Sequence, residues 1–182
     1  MTTSQGLARY SPPLWRTPPE VSHLKTMAHC IVEDRQGRVW FDFYDRLVRF
    51  DGSNWKIYPL PKGQRTNPYQ ARSLVLLADG RVVLHAAEGI AFLVFNPGSE
   101  SFASFPSPDR GSIWAMSAAV EGGVWMETVD SARRHRLNLF DGAGFRFITD
   151  WEEKQWPLGA MKFIQESKRF GLLAGGTMGL GA

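Results

Sequence analysis

An internal repeat of 42 to 45 residues is the feature that most constrains how this chain can fold. Residues 33–52 read EDRQGRVWFDFYDRLVRFDG, residues 121–142 read EGGVWMETVDSARRHRLNLFDG, and a degenerate copy occupies residues 79–98 between them. The anchor positions recur at even spacing: Val39, Val82 and Val124 are 43 and 42 residues apart, and Phe50, Phe95 and Phe140 are 45 and 45 residues apart. A period of this length is typical of solenoids, propellers and other repeat arrays.

Each repeat unit predicts four short strands. In the first unit these are residues 28–32, 38–43, 47–50 and 55–58, which are apolar segments of strand length separated by Gly-containing turns. A single four-stranded antiparallel meander is apolar on both faces and cannot cover them itself, whereas a radial stack of meanders buries both faces between neighbours. The sequence therefore predicts an all-β fold, a β-propeller built of four-stranded antiparallel blades.

The repeat divides residues 1–182 into about four blades' worth of a single propeller region. Complete blades are predicted at residues 27–70, 71–111 and 112–159. Residues 160–182 are predicted to form the inner strands of an incomplete blade, and residues 1–26 the outer strands of a preceding or closing blade. The halves at the two ends allow a small closed ring, a longer array cut inside two blades, or two copies that close one larger ring. We favour a partial, edge-open propeller cut from a longer array, because Gly6-Leu7-Ala8 duplicates Gly179-Leu180-Gly181 instead of continuing it.

Aromatic residues and Asp-Gly turns recur at equivalent positions of the repeat. Large aromatics are usually buried, so we expect these rings to pack blade against blade and the Asp-Gly pairs to form hairpin turns. The residues assigned this structural role are Trp40, Phe50, Asp51, Gly52, Phe95, Trp125, Phe140, Asp141 and Gly142.

The first unit carries a distinctive set of residues: Ile31-Val32-Glu33-Asp34, Gly37, Val39-Trp40, residues 47–52 and residues 55–58. This set resembles the two-component regulator propeller repeat, and the resemblance covers nearly the whole chain. It implies a ligand-sensing, non-catalytic segment of a sensor such as a hybrid histidine kinase, with any kinase activity in a module that is missing here. The second unit lacks the Trp, and the third has Glu127-Thr128 where the family often has Gly-Thr.

A ligand is predicted to bind on one face of the ring. Successive strands alternate in direction, so the loops between units and the loops joining second to third strands emerge on the same side. We call these the mouth-side loops. Polar groups beside aromatics suit a small polar or anionic ligand, and the inter-unit loops supply Arg65, Asn67, Tyr69, Asp109, Arg110, Trp151 and Trp156.

A basic run in the third unit is a second candidate contact. Arg133-Arg134-His135-Arg136 is predicted to lie in the second-to-third strand loop, which is longer than its counterparts because Trp125 and Phe140 are 15 residues apart and Trp40 and Phe50 only 10. Several guanidinium groups can bind a carboxylate or phosphate together. A solvated basic hairpin tip is the alternative.

Composition and motifs exclude several other classes of function. The formal charge is only +3, which argues against a nucleic-acid partner. The single cysteine, Cys30, and the spacing of the four histidines predict no metal site, and no phosphate loop, dinucleotide motif or nucleophile elbow predicts a cofactor or a catalytic residue. No apolar stretch approaches the roughly 20 residues that cross a bilayer.

The family resemblance and the first residues of the chain lead to expectations about localisation and partners. The resemblance implies a periplasmic location if the chain is part of a sensor kinase. The start of the chain lacks the apolar core of a signal peptide, which predicts a cytoplasmic protein if the chain is complete. We expect a signalling module or further blades as partners, and self-association through open blade edges.

Two other functions fit the same repeat. One is an enzyme of the propeller lyase or lactonase type, similar to streptogramin lyase, and the Phe-Asp-Gly turns and the absence of converging His and Glu argue against it. The other is a protein-interaction platform, for which aromatic loop residues would serve as anchors.

Overall fold

A computed structural model of the chain describes residues 2–3, 6–7, 19–23, 27–66, 73–86, 91–152, 161–176 and 179–181. Three four-stranded antiparallel meanders account for most of these residues. Sheet 1 contains β3 (Cys30–Glu33), β4 (Val39–Phe43), β5 (Arg46–Phe50) and β6 (Trp55–Pro59). Sheet 2 contains β7 (Leu74–Leu76), β8 (Val82–His85), β9 (Ala91–Asn96) and β10 (Ser101–Pro106). Sheet 3 contains β11 (Ser112–Ala118), β12 (Val124–Val129), β13 (Arg134–Phe140) and β14 (Phe145–Glu152).

The ends of the chain form smaller sheets. Sheet 4 has three strands, β15 (Met161–Ser167), β16 (Gly171–Gly176) and β17 (Gly179–Gly181), and a short hairpin pairs β1 (Thr2–Thr3) with β2 (Gly6–Leu7). Single 3-10 turns cover Pro19–Val21 and Pro108–Arg110. The four strands predicted for the first repeat unit lie within two residues of β3 to β6.

The Phe-Asp-Gly turns are held by the aspartate side chain. Asp51 Oδ1 accepts hydrogen bonds from the backbone N–H groups of Ser53 (3.1 Å) and Asn54 (2.8 Å), and Asp141 Oδ1 does the same two and three residues on (2.8 and 2.9 Å). The glycines that follow have φ of +98° at Gly52 and +100° at Gly142, a region that glycine adopts readily. The recurring Asp-Gly pair is therefore explained by the geometry of one turn between the third and fourth strands.

The core consists of apolar layers between consecutive sheets. Between sheets 1 and 2, Trp40 and Phe95 are fully buried with ring centroids 5.8 Å apart. Between sheets 2 and 3, Phe92 and Phe140 meet edge to face at 5.0 Å. A smaller layer between sheets 3 and 4 contains Ile164, and each fully buried large side chain contributes roughly 1.5–3 kcal/mol. Sheets 2 and 3 are thus covered on both faces by their neighbours, as a radial stack requires.

The first strand of each sheet lies at a common hub. β3, β7, β11 and β15 are each the end strand of their sheet, and contacts between sheets run through them: β3 with β7, β7 with β11, and β11 with β15. The second, third and fourth strands therefore lie progressively further from the hub.

A carboxylate fixes the tryptophan of the second strand in two different ways. In sheet 1, Asp34 accepts a hydrogen bond from Trp40 Nε1 (2.9 Å), from two backbone N–H groups and from Arg38 Nε. The position equivalent to Asp34 in sheet 3 is Ala119, and Glu166 of sheet 4 supplies the missing oxygen. Glu166 Oε2 accepts from Trp125 Nε1 (2.9 Å) and from the Val120 N–H (2.7 Å). The indole N–H at this repeat position is thus hydrogen-bonded within its own blade in sheet 1 and to the next blade in sheet 3.

Removing Glu166 is expected to loosen sheet 4 from sheet 3. Glu166→Ala leaves the Trp125 indole N–H and the Val120 N–H without their acceptor, and we expect the free energy of unfolding to fall by about 1–3 kcal/mol. Urea denaturation followed by tryptophan fluorescence measures this. Glu152→Ala, an exposed glutamate on β14, is the matched control, and equal losses for the two variants would contradict the assigned role.

Gly122 is expected to tolerate alanine less well than Gly52. Both have positive φ, +93° and +98°, so each alanine costs roughly 1–2 kcal/mol of backbone strain. An added Cβ at Gly122 would also lie 2.2 Å from the Ala78 Cβ, whereas nothing lies within 4 Å of one at Gly52. Denaturant midpoints should show the larger loss for Gly122→Ala, and equal losses would show that sheets 2 and 3 do not approach this closely.

Candidate functional site: the hub cavity

A cavity of about 640 Å³ lies at the hub where the four first strands meet. One side of it is apolar, with Leu74, Val75 and Leu76 of β7 beside Ile31 and Val32 of β3. Polar side chains lie among these residues: His29, Cys30, Glu33, Ser117 and Gln165. A mostly apolar wall with a few polar groups is the usual character of a small-molecule site.

Cys30 is the one thiol at this cavity. It pairs in register with Asp42 of β4, and its Sγ lies 4.0 Å from the Leu74 carbonyl oxygen. Burial is the main cause that raises the pKa of the Cys30 thiol, so the group is protonated and a weak nucleophile at neutral pH. The geometry thus suits a packing role at the wall of the cavity.

The fourth position of each complete sheet's second strand carries a buried titratable residue. These residues are Asp42, His85 and Glu127, which follow Val39, Val82 and Val124 by three residues and are 0%, 1% and 0% exposed. By strand alternation each lies on the same face as Trp40, Val83 or Trp125, which is turned toward the following sheet. Buried ionisable groups are uncommon. Their presence at one repeat position in three sheets distinguishes this position from the apolar layers around it.

Asp42 and His85 have pKa values moved in opposite directions. Asp42 Oδ2 accepts a hydrogen bond from Ser73 Oγ at 2.5 Å, and burial raises the pKa of this carboxyl to about 6. Burial lowers the pKa of His85 to about 4, and neither ring nitrogen has a hydrogen-bond partner among the described residues. In both cases removal from water disfavours the charged form.

Glu127 has a histidine partner. His135 Nδ1 lies 2.7 Å from Glu127 Oε1, and the imidazole lies between two indoles, Trp114 at 5.5 Å and near right angles and Trp151 at 5.6 Å and nearly parallel. His135 is 2% exposed. Glu127 and His135 are diagonal neighbours on β12 and β13. Their spacing along the chain therefore gives no signal that they form a pair.

The structure corrects the predicted position of the basic run. The turn after β12 is Asp130 to Arg133, closed by Asp130 Oδ1, which accepts from the N–H groups of Ala132 (2.8 Å) and Arg134 (2.9 Å). Arg134, His135 and Arg136 lie in strand β13 and not in a loop. The additional residues lengthen both strands of the hairpin, because continued pairing up to Val129 and His135 satisfies backbone groups that a loop would leave to water.

The basic side chains are therefore separated by strand alternation. His135 is buried, while Arg134 is exposed and lies 3.9 Å from Asp150, and Arg136 forms an ion pair with Asp109. Two predicted ligand contacts, Asp109 and Arg136, are thus paired with each other. Arg110 is exposed beside Asp109.

The remaining predicted contacts lie apart from the hub cavity. Arg65 donates to the Tyr44 hydroxyl (2.6 Å) and its guanidinium lies over the Tyr44 ring at 5.1 Å, while Trp151 stacks on His135. Asn67, Tyr69 and Trp156 lie outside the described residues. The cavity-lining residues escaped prediction because they belong to first strands, which carry the weakest sequence signature of the repeat.

The described ranges hold neither a cluster of metal-ligating side chains nor a membrane-spanning helix. They contain no group of three or more His, Cys, Asp and Glu side chains placed to hold a metal ion. Nor do they include a helix of the length and apolarity needed to cross a membrane.

Known structures share this arrangement of sheets. No protein-family model and no curated protein sequence matches the chain. A catalytically inactive variant of virginiamycin B lyase from Staphylococcus aureus, solved with quinupristin, matches with a TM-score of 0.64 at 14% identity, over 86% of this chain and 51% of that one. The extracellular domain of a putative hybrid two-component system from B. thetaiotaomicron matches with a TM-score of 0.56 at 15% identity, over 84% of this chain and 21% of that one.

The chain is a partial β-propeller. Its four-stranded antiparallel sheets match those of propeller structures, and no sheet closes on itself within the described residues. This confirms the predicted fold class. A second such extracellular domain from B. thetaiotaomicron matches at 17% identity with a TM-score of 0.51. The chain spans about half the length of the lyase and about a fifth of the sensor domains.

Asp42 and His85 are expected to contribute opposite pH dependences to stability. The pKa of Asp42 rises from 3.8 to about 6 on folding, so its contribution is present at low pH and is lost as the pH rises through about 6. The pKa of His85 falls from 6.5 to about 4, so its contribution is present above pH 6.5 and is lost as the pH falls toward about 4. The two contributions largely cancel between about pH 4 and 6.5.

Single substitutions should remove this cancellation. Relative to the parent chain, we expect Asp42→Asn to lose about 2–3 kcal/mol of unfolding free energy between pH 6.5 and 4. Over the same interval His85→Gln should gain stability relative to the parent chain. Urea titrations at several pH values measure both slopes. Parallel slopes for all three proteins would contradict the assignment.

Proposed function

We propose that this chain is a non-catalytic, ligand-sensing propeller segment of a two-component signal transduction sensor, and that it binds a small molecule in the hub cavity. The observation that carries the proposal is the cavity of about 640 Å³ at the meeting point of four first strands. A ligand there contacts several blades at once. Its binding energy therefore depends on how the blades are arranged relative to each other. A ligand that binds one arrangement more tightly shifts the population toward it, and a sensor can transmit that shift.

The composition of the cavity indicates the kind of ligand. Leu74, Val75 and Leu76 offer an apolar wall, while Ser117 and Gln165 lie on other strands. A small molecule with an apolar body and a few polar groups fits these surroundings. An anion bound by the mouth-side arginines is less well supported, because Arg136 already pairs with Asp109 and Arg65 lies on Tyr44.

The sensor context is supported by fold similarity. Extracellular domains of putative hybrid two-component systems match most of this chain, at 15–17% identity. On this proposal the segment lies in the periplasm, and further blades and a signalling module belong to the same system. The output of ligand binding is then the effect of blade rearrangement on that module.

An enzymatic function of the lyase type has weaker support. The expectation that no His and Glu converge was wrong, since His135 and Glu127 are hydrogen-bonded. Both are buried to within 2% and neither lines the hub cavity, so the pair is enclosed away from substrate. A protein-interaction platform would need a continuous apolar surface on the mouth-side loops, where Arg65, Asp109 and Arg110 bring charge instead.

Blocking the cavity tests the proposed site. Isothermal titration with a panel of apolar and aromatic amino acids and small aromatic acids identifies a ligand, and Ala118→Trp then fills the cavity with an indole from β11. We expect Kd for the ligand to rise at least tenfold, because the indole takes its volume. Ala132→Trp, the same change at an exposed turn residue, should leave Kd unchanged.

The outcomes separate the two candidate sites. Binding that survives Ala118→Trp but is lost when Arg133, Arg134 and Arg136 are replaced together by Ala would place the ligand on the hairpin of sheet 3 and contradict the hub site. Failure of every compound in the panel to bind would contradict a small-molecule ligand of these classes.

A further inference from the structure

A second cavity adjoins the hub cavity on the side away from the mouth-side loops. It has a volume of about 360 Å³ and is lined by the turns that join the first and second strands of sheets 1, 2 and 3. We call it the turn-side cavity. The two cavities share Glu33, Leu76 and Ala118, which are the last residues of β3, β7 and β11. A molecule that lies in the apolar hub cavity can therefore reach the polar turns with one end.

Two carboxylates that line the turn-side cavity already have cationic partners. Asp34 accepts a hydrogen bond from Arg38 Nε at 2.6 Å, and Asp79 accepts one from Arg81 Nε at 2.7 Å. Each pair lies within one turn region of its own blade. These charges hold the turns in shape and are neutralised before any ligand arrives.

Two other charged residues of the same lining have no hydrogen bond or ion pair with any described residue. They are Glu33 and Arg35, which have opposite charges, stand two positions apart and are both exposed. A Cβ added at Gly37 would lie 3.9 Å from Glu33 Oε1, so the carboxylate lies over the turn that carries Arg35. One anionic and one cationic group are thus available at the same end of the cavity.

The turn that carries Arg35 is held firmly by its own hydrogen bonds. The Gly37 N–H donates to the Asp34 carbonyl oxygen at 2.9 Å, and Asp34 Oδ1 accepts from the N–H groups of Gln36 and Arg38 at 3.0 Å each. The backbone of Arg35 is therefore fixed before a ligand binds. Only the guanidinium side chain has to be ordered, which keeps the entropic cost of binding small.

Glu33 is the one ionised group among the described residues that line the hub cavity. Burial lowers the pKa of His29 and raises the pKa of the Cys30 thiol, so both side chains are neutral at pH 7. The other polar side chains, Ser117 and Gln165, carry no charge. A ligand that enters this cavity with a positive charge would thus meet its counter-ion only at the end where the two cavities join.

We propose that the ligand of the hub is a zwitterionic α-amino acid with an apolar side chain, whose ammonium group binds Glu33 and whose carboxylate binds Arg35. Charge-assisted hydrogen bonds are the stronger kind, and a guanidinium can bind a carboxylate through two parallel bonds. The apolar side chain then lies against β7 in the hub cavity. This assignment rests on the proposed function and adds to it the chemical class of the ligand.

Isothermal titration of the parent chain at pH 7 tests the two charged contacts. L-leucine, L-isoleucine and L-phenylalanine are the probes, and the tightest binder is compared with its N-acetyl derivative, which lacks the ammonium group, and with its amide, which lacks the carboxylate. We expect each derivative to bind about five- to tenfold more weakly than the free amino acid.

Two variants assign each contact to its residue. Glu33→Gln should weaken the free amino acid about five- to tenfold and leave the Kd of the N-acetyl derivative unchanged. Arg35→Gln should weaken the free amino acid by a similar factor and leave the Kd of the amide unchanged. A general loss of folding would weaken all three compounds together, so this crossed pattern reports the contacts themselves.

Glu121→Gln and Arg169→Gln are the matched controls. Glu121 and Arg169 are exposed charges in the corresponding turns of sheets 3 and 4, and neither lines either cavity. Both variants should bind the free amino acid with the Kd of the parent chain. A loss of affinity in these controls equal to that of Glu33→Gln or Arg35→Gln would contradict direct contacts.

The results distinguish this inference from the proposed function. If the derivatives bind as tightly as the free amino acid and Ala118→Trp still blocks binding, the charged contacts are wrong and the hub site stands. The same conclusion follows if an aromatic acid binds at the hub and no amino acid does. If neither the amino acids nor the aromatic acids bind, both proposals are wrong.

Discussion

Burial of the apolar faces of the sheets against one another is the constraint on which this structure depends. Sheet 2 shows it most fully, since Val82 and Leu84 are buried toward sheet 1 while Val83 and Phe92 are buried toward sheet 3. Such a sheet has no solvated face, and removal of either neighbour would expose a complete apolar layer. Stability therefore resides in contacts between sheets, and the order of sheets around the hub follows directly from the order of repeats along the chain.

Polar contacts adjust this arrangement where the repeat has degenerated. Asp34 satisfies the indole of Trp40 within one blade, whereas Trp125 depends on Glu166 of the next sheet. An indole N–H buried without an acceptor is costly, so the absence of a carboxylate at Ala119 has to be offset by another group. The consequence is a contact between sheets 3 and 4 that has no counterpart between sheets 1 and 2 among the described residues. Degeneration of the motif has thus converted a local bond into a link between blades.

The parts of the structure that the sequence predicts are those set by local chemistry. The strands of sheet 1 and the turns at Asp51 and Asp141 follow from short-range alternation and from a side chain that binds its own backbone. The hub cavity has no such signal, because its lining combines short segments that are distant in sequence, around residues 29–33, 74–76, 117–118 and 165. The hairpin of sheet 3 shows the same limit. The insertion in this hairpin can be seen in the sequence. That it extends two strands and places His135 against Glu127 can be seen only from the strand pairing.

The distribution of titratable residues then separates structural from functional positions. Asp42, His85 and Glu127 share one position of the repeat, each facing the following sheet, and each is buried to within 1%. The polar residues that line the hub cavity lie elsewhere in the blade: Glu33 and Gln165 are on first strands, and His29 directly precedes one. The buried residues differ from blade to blade in charge and in partner: Ser73 for Asp42, His135 for Glu127, and none among the described residues for His85. The second strands thus carry buried polar groups at the blade interfaces, while the first strands line the hub cavity, so the two kinds of polar residue lie on different strands of the same blade.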